Sequence, residues 1–454
     1  MKLMLTEITS AVKGSLIGQD LLATGVSIDT RTLQAGDLYI AIKGKNFDGH
    51  DFIAQALQAG AAAILVNQTT DTDSAQIVVN DTHLALAELA GYWRRKMPVK
   101  IAGVTGSNGK TSVKEMIAAI FATQGNTLFT QGNLNNDIGV PLTLLRLDES
   151  HRFAVIEMGA NHPGEIAYTS RYAQADVSVI TNVGPAHIEG FGSIDGVANT
   201  KAEIIENLGA AGVAILNRDD VYYDLWLHKA GSRKSVSFGF DPAADIRAKN
   251  ISTRLNEKGF ATQFDLKTAD TTEIICLGLA GKHNVKNALA ATAVALQFGI
   301  ELKSIKQALE QVKPVTGRMQ ALQGRQGNIV IDDTYNANPA SLQAALDAIN
   351  HANQPIWLVL GAFGELGSDS AVIHGEMADM IRSQSVQRLF ATGELAKHTV
   401  AAFGSNGQHF DTQDHLIQTL TEAITGKEII LVKGSRSQKM ENVVAALVDN
   451  FRAH

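Results

Sequence analysis

Apolar residues in this chain arrive as short β-branched runs separated by stretches with helical spacing. Up to about residue 97, the runs DLYIAI, AAAILV and AQIVV read as strands and 82–96 as a helix. The basic, proline-containing RRKMPVK that follows reads as a linker. VKIAGVT then feeds a glycine-rich turn, and VKEMIAAIFATQ (113–124) is spaced as a helix. FAVIEMG, ADVSVITN and GVAILN repeat the alternation, which predicts a parallel, doubly wound sheet. Between 235 and 279 the period drops to two, in SVSFGF, IRAKNIS, ATQFDL and TEIICLGL, and predicts a small antiparallel sheet attached to the α/β core. From KPVTGR onward the order is NIVIDD, a helix from 339, IWLVLG, a helix, RLFATG, EIILVKG and a final helix, which reads as a second Rossmann-like unit. The predicted class is α/β with three domains, 1–97, 98–313 and 314–454.

The length of 454 residues agrees with about three domains. A net charge of −7 with a pI near 6.0 argues against nucleic acid or an anionic membrane as the main partner, so an anionic substrate must be held by local donors. The single Cys276 excludes an internal disulfide framework and fits a reducing cytosol. Its apolar surroundings, IICLGL, predict a buried, inert thiol. The first residues include a Glu where a signal peptide needs an apolar core, and no run approaches a membrane span. The expected location is the cytoplasm.

Candidate chemistry begins at GVTGSNGKTS (103–112). Gly109, Lys110 and Thr111 supply the end of a phosphate loop, but Val104 stands where the usual pattern has its first glycine. A strand precedes the loop and a helix follows, so the backbone N–H groups of Gly106, Ser107, Asn108 and Gly109 can face phosphate oxygens. Lys110 can reach the terminal phosphates, and the hydroxyls of Thr111 and Ser112 lie where Mg²⁺ and phosphate would be. Glu157 ends an otherwise apolar strand, so it needs a cation or a donor beside it: a Mg²⁺ or a structural Arg. His187 follows another strand, in a glycine-rich loop on the same sheet edge. Read alone, Lys201 is a solvated helix lysine, Asn284 a helix N-cap and Arg318 a surface cation.

The loop T-G-[ST]-x-G-K-T, beginning at Thr105, resembles that of the Mur ligases and their folylpolyglutamate synthase relatives. The resemblance runs through all three sections in order. It implies a UDP-binding N-terminal domain, a central ATPase domain with a phosphate loop and a Rossmann-like C-terminal domain. It also implies ATP with two Mg²⁺ ions as cofactors. In the family the lysine of [AT]-K-x-E is carbamylated by CO₂, which here is Lys201 in NTKAEI. Glu157, His187 and Lys201 would then surround one Mg²⁺ beside another held by Thr111. G-x-H-N-x-x-N-A-x-A-A implies nucleotide contacts from His283 and Asn284, and VTGR and IDDTYNANP imply ATP contacts from Arg318 and Asp333 on domain closure.

SIDTRTLQAGDLYIAIKGKNFDGHDF (27–52) resembles the family's UDP-binding segment, which implies contacts from Ser27, Asp29, Thr30, Arg31, Lys43, Gly44 and Phe47. QGNLNNDIGVPLTLL implies further substrate contacts from Asn133, Asn135 and Asn136. Together with DDTYNANPAS it resembles the branch that adds D-Ala-D-Ala to UDP-MurNAc-tripeptide. Dipeptide or closure contacts are then expected from Tyr335, Asn336, Asn338 and Ser341, and from Lys433, Ser435 and Arg436. GAFGELG departs from the family's G-D-M-x-E-L-G, with Ala362 in place of the acid, which leaves Glu365 and His374 as neighbouring candidates. The implied partners are these two small molecules, with a monomer as the expected state.

Overall fold

The computed structural model describes residues 1–451 except 45, 185–187, 257–258, 351, 365 and 450. Three mixed sheets carry the fold, with a two-stranded ribbon, Leu3–Met4 with Leu22–Ala23, beside the first. The N-terminal sheet has the order Ser15–Ile17, Gln76–Val78, Ala63–Val66, Asp37–Ile40, Gly25–Ser27, and only the first strand is antiparallel to its neighbour. Its three longer runs were legible from their patterning. The other strands, of two or three residues, lie outside these runs and are too short to show a period.

The helix Thr82–Lys96 forms as its spacing predicts, capped by Asp81, whose carboxylate accepts from the N–H groups of His83 (2.8 Å) and Leu84 (3.0 Å). RRKMPVK is not the predicted linker, since its first three residues are helical. Arg94, Arg95 and Lys96 form the last helical turn, where cations oppose the negative end of the helix dipole. Arg94 donates to the carbonyls of Ala173 (3.1 Å) and Gln174 (3.2 Å), and Trp93 Nε1 to that of Leu147 (2.9 Å). One apolar core therefore runs from Leu86 and Trp93 through to Leu144, Ile166 and Leu216.

The central sheet has nine strands in the order Thr272–Leu277, Gly259–Lys267, Ile246–Asn256, Lys234–Gly239, Val213–Asn217, Val177–Ile180, Lys100–Thr105, Phe153–Glu157 and Thr127–Phe129. The antiparallel segment is not a separate sheet. Lys234–Gly239 is parallel to both of its neighbours, and Ile246–Asn256 is long enough to pair with it at one end and with Gly259–Lys267 along the rest. The antiparallel strands thereby extend the parallel sheet sideways. Cys276 is exposed, which corrects the expectation of a buried thiol. On this edge strand Ile275 and Leu277 point inward, while Ile274 and Cys276 face solvent, so the apolar run is an alternating one.

The C-terminal sheet has the order Gln320–Gln323, Ile329–Asp333, Ile429–Lys433, Ile356–Gly361, Val386–Thr392, Gly407–Phe410, and only the first strand is antiparallel. The two outermost strands were not anticipated, being short and mostly polar. Among the described residues no helix is long and apolar enough to cross a membrane.

Candidate active site

The phosphate loop leaves the strand Lys100–Thr105 between Phe153–Glu157 and Val177–Ile180 and enters the helix Lys110–Ala122. Thr105, Glu157 and Thr181 thus reach one sheet edge together, as open α/β sheets require of a ligand site. Two glycines are obligatory for the turn. Gly106 has φ 149°, and a Cβ there would lie 1.8 Å from Thr181 Oγ1; Gly109 has φ 83°, and its Cβ would lie 2.5 Å from Asn287 Oδ1. The pattern's missing first glycine is therefore supplied by Gly106, two positions after Val104.

Lys110 Nζ folds back on the loop, donating to the carbonyls of Gly106 (2.8 Å) and Ser107 (3.3 Å). Burial pushes its ammonium below the usual lysine range; Glu157 opposes that shift and Arg318 adds to it. Glu157 is 2% exposed. Its N–H donates to Thr130 Oγ1 (2.9 Å), and Oε1 accepts from Asn135 Nδ2 (2.9 Å) and from Thr111 Oγ1 (3.4 Å). Thr130 is in turn held through its carbonyl by the buried Lys114 Nζ (2.8 Å). Among the described residues Glu157 Oε2 is buried without a hydrogen-bond partner. A buried carboxylate oxygen left unpaired costs free energy, so Glu157 is a residue that could hold a cation.

Lys201, on the helix Ile194–Glu206, is 5% exposed and borders the same cavity. Among the described residues no hydrogen bond or ion pair engages its ammonium. Burial pushes it well below the ordinary lysine range, and Lys110 pushes it further the same way. Glu203 of the same K-x-E pattern accepts from the N–H groups of Gly164 and Ala167 (both 2.8 Å), and so fixes the turn that follows Glu157.

The phosphate loop, Glu157 and Lys201 line one cavity of about 860 Å³, together with Asn135, Asn136, His283, Asn284, Arg318 and Asp333. Asn284 is not the predicted N-cap. The helix Gly281–Gln297 starts before it, and Asn284 Nδ2 donates to the Ala280 carbonyl (2.9 Å) and His283 Nε2 (3.1 Å), while its Oδ1 accepts from Asn287 (3.1 Å). Burial keeps His283 below the usual histidine range. Arg318 is not a surface cation: it stacks 4.2 Å from the Tyr335 ring and donates to Thr111 Oγ1 (3.1 Å). Asp333 is paired with the buried Lys433, which also donates to the Asn336 carbonyl (3.1 Å).

Of the dipeptide candidates, Tyr335, Asn336, Asn338, Ser341 and Lys433 border the cavity, whereas His374, Ser435 and Arg436 do not. His374 is fully buried: Nε2 accepts from Phe363 N–H (3.0 Å) and Nδ1 faces the Ser370 carbonyl (2.7 Å), so both ring nitrogens are used to hold the fold. Ser435 Oγ accepts from Gly364 N–H (2.7 Å), and Arg436 pairs with Glu441 (3.0 Å). Ala362 is buried against Gly393. His187 and Glu365 lie outside the described residues.

The first-sheet candidates Ser27, Asp29, Thr30, Arg31, Lys43, Gly44 and Phe47 are not among the residues lining this cavity. Arg31 clamps Asp29 and holds its carboxyl down at about 2, Ser27 Oγ donates to the Asp29 carbonyl (2.9 Å), and Lys43 pairs with Asp48 (3.4 Å). Gly44 N–H donates to the Phe47 carbonyl (2.9 Å), leaving the Phe47 ring 74% exposed. Asn133 lies off the cavity, whereas Asn135, expected as a substrate contact, holds Glu157. Sequence reasoning missed Thr130, Asn182, Asn287 and the wall formed by Phe240, Lys286 and Asp219. In that wall the Lys286 ammonium sits 4.9 Å from the Phe240 ring and 2.8 Å from Asp219. Asn287 carries a signal, as the second Asn of the H-N-x-x-N pattern.

Family models match in chain order: Mur ligase family, catalytic domain, over residues 23–100; Mur ligase middle domain over 104–295; and Mur ligase, glutamate ligase domain, over 317–436. The chain belongs to the Mur ligase family. Within it, the chain is 41% identical over 449 residues to the UDP-N-acetylmuramoyl-tripeptide--D-alanyl-D-alanine ligase of Escherichia coli (strain K12), covering 98% of each. It is 36% identical to the ligase of that name in Bacillus subtilis (strain 168), again over 98% of each. The solved MurF of Acinetobacter baumannii superposes with a TM-score of 0.92 at 35% identity, with 98% of both chains covered. The MurF ligase of Thermotoga maritima in complex with ADP gives 0.84 at 28%, covering 93% of this chain and 96% of that one. A folylpolyglutamate synthase of Mycobacterium tuberculosis gives 0.64 at 18%, which shows a shared Mur ligase fold alone.

Proposed function

We propose that this Mur ligase joins D-Ala-D-Ala to UDP-MurNAc-tripeptide at the expense of ATP, releasing UDP-MurNAc-pentapeptide, ADP and phosphate. The observation that carries the reading is the meeting, on one cavity, of the phosphate loop, an acid with a buried oxygen and a buried lysine, neither with a partner among the described residues. The full-length relatives that bear this activity in their names support the choice of substrates.

In this reading the amides of residues 106–109 bind the phosphates, and Lys110 leaves its loop carbonyls to meet the γ phosphate. The tripeptide carboxylate attacks the γ phosphorus, the bond to the β-phosphate oxygen breaks, and ADP departs. The dipeptide amine then attacks the acyl phosphate carbon, the bond from that carbon to the phosphate oxygen breaks, phosphate leaves with one former carboxylate oxygen, and the amine's proton passes to solvent. Thr111, Glu157 and Lys201, the last as its carbamate, are the residues that would hold Mg²⁺, with His187 a further candidate. When bound, Mg²⁺ supplies charge neutralisation at the transferring phosphoryl group. A carbamate forms from a neutral amine, and the surroundings of Lys201 favour the neutral form.

Arg318 and Asp333 meet the nucleotide from the C-terminal side, and Tyr335, Asn336 and Lys433 lie nearest the incoming dipeptide. The segment 27–47 with Asn136 binds the UDP-sugar. The division 1–97, 98–313 and 314–454, a cytoplasmic location and a monomeric state belong to the same reading.

With ¹⁸O in the tripeptide's terminal carboxylate, one label is expected in the released phosphate, read by mass spectrometry. Phosphate free of label would exclude the acyl phosphate route.

A further inference from the structure

Two side-chain amides meet across the cavity, and each is oriented before they touch. Asn338 caps the helix Pro339–Ile349: its Oδ1 accepts from Ser341 N–H (2.8 Å), while Ser341 Oγ accepts from Asn338 N–H (3.0 Å). With that oxygen occupied, Asn338 Nδ2 points the other way and donates to Asn108 Oδ1 (3.0 Å). The hydrogen-bond network thus assigns which end of each amide is which. Asn108 is clamped through its backbone: its N–H donates to Asn182 Oδ1 (2.9 Å), and its carbonyl accepts from Thr181 Oγ1 (2.6 Å) and Asn182 Nδ2 (3.1 Å). Three residues further on, Thr111 receives Arg318 from the same side of the cavity. The wall between Arg318 and Asn338 is itself rigid, because Asp333 is paired with Lys433 and accepts from Met319 N–H (3.2 Å), and Tyr335 N–H donates to the Gly317 carbonyl (3.1 Å).

A cap needs only the oxygen of Asn338. The amide nitrogen is surplus to capping, and its hydrogen bond goes to the phosphate loop. We propose that Asn338 is a positioning residue that registers the C-terminal wall on the phosphate loop through Asn108, so that Arg318 and the loop amides hold one fixed spacing during phosphoryl transfer. The proposal rests on the ligase reading above. A single contact fixes a distance but leaves rotation free; the pair Asn338–Asn108 and Arg318–Thr111 leaves rotation only about the line that joins them.

The test separates the two halves of Asn338. Serine caps a helix about as well as asparagine but is too short to reach Asn108. Asn338→Ser should keep the wild-type Tm and an unchanged Kd for ADP, since the loop amides are untouched. Its kcat should fall roughly 2- to 12-fold, the worth of one neutral hydrogen bond. Asn108→Ala, which leaves the cap intact, should show the same fall, and the double variant should fall no further. Wild-type kcat in either single variant, or losses that multiply in the double variant, would overturn the proposal. A lowered Tm in Asn338→Ser would pass the decision to Asn108→Ala alone. A wild-type chain that binds ADP yet forms no amide product sinks the ligase reading and this proposal with it. An active wild type with unaffected variants overturns only this proposal.

Discussion

Lys201→Arg is expected to be nearly inactive although it keeps the positive charge. Lys201 is buried, has no anionic partner among the described residues, and feels a second ammonium, Lys110. A site of that kind destabilises a cation and favours the neutral amine from which a carbamate can form. Guanidinium stays charged and cannot take up CO₂, so it would repel Mg²⁺ where a carbamate would bind it. Lys201→Ala should lose roughly 10²-fold or more in kcat, since even outer-shell partners of a metal are worth 10- to 100-fold. Acetate, small enough to enter the vacated space, should restore part of that loss. Steady-state phosphate release with and without acetate is the measurement. An active Lys201→Arg enzyme would sink the carbamate assignment.

Lys110→Ala should fall still further, by about 10³-fold, because a preorganised cation at a transferring phosphoryl group acts mainly in the transition state. Its fold should survive. Among the described residues the ammonium is hydrogen-bonded only to two loop carbonyls, and its burial is unfavourable to the charge, so the substitution removes no structural contact beyond those two. Circular dichroism and Tm check the second half of that statement, and single-turnover ADP formation the first. Wild-type turnover in a folded Lys110→Ala protein would remove the phosphate loop from catalysis.

The sequence showed most of the parallel framework, because buried strands such as IAGVT and FAVIE are continuous apolar runs bounded by turns. It did not show how the antiparallel strands join that sheet. Pairing across Phe238 and Ile246 is a long-range choice that leaves no local pattern. Glu157 was legible as a polar residue ending an apolar strand, whereas Thr130 and Lys114 were not. Their function is to hold Glu157 through a threonine hydroxyl and a carbonyl, and nothing in FTQG or SVKE marks that. His374 failed for the opposite reason. It stood near a family loop in sequence, but its ring turned inward to satisfy Phe363 N–H and face the Ser370 carbonyl.

Cys276 is the sole thiol of the sequence, and it faces solvent on the outermost strand of the central sheet, away from the residues that border the cavity. A maleimide fluorophore can therefore be attached at one defined position without first removing any native cysteine. A second cysteine engineered on the C-terminal sheet would complete a donor–acceptor pair. Spacing between the two halves of the molecule could then be followed in real time during turnover.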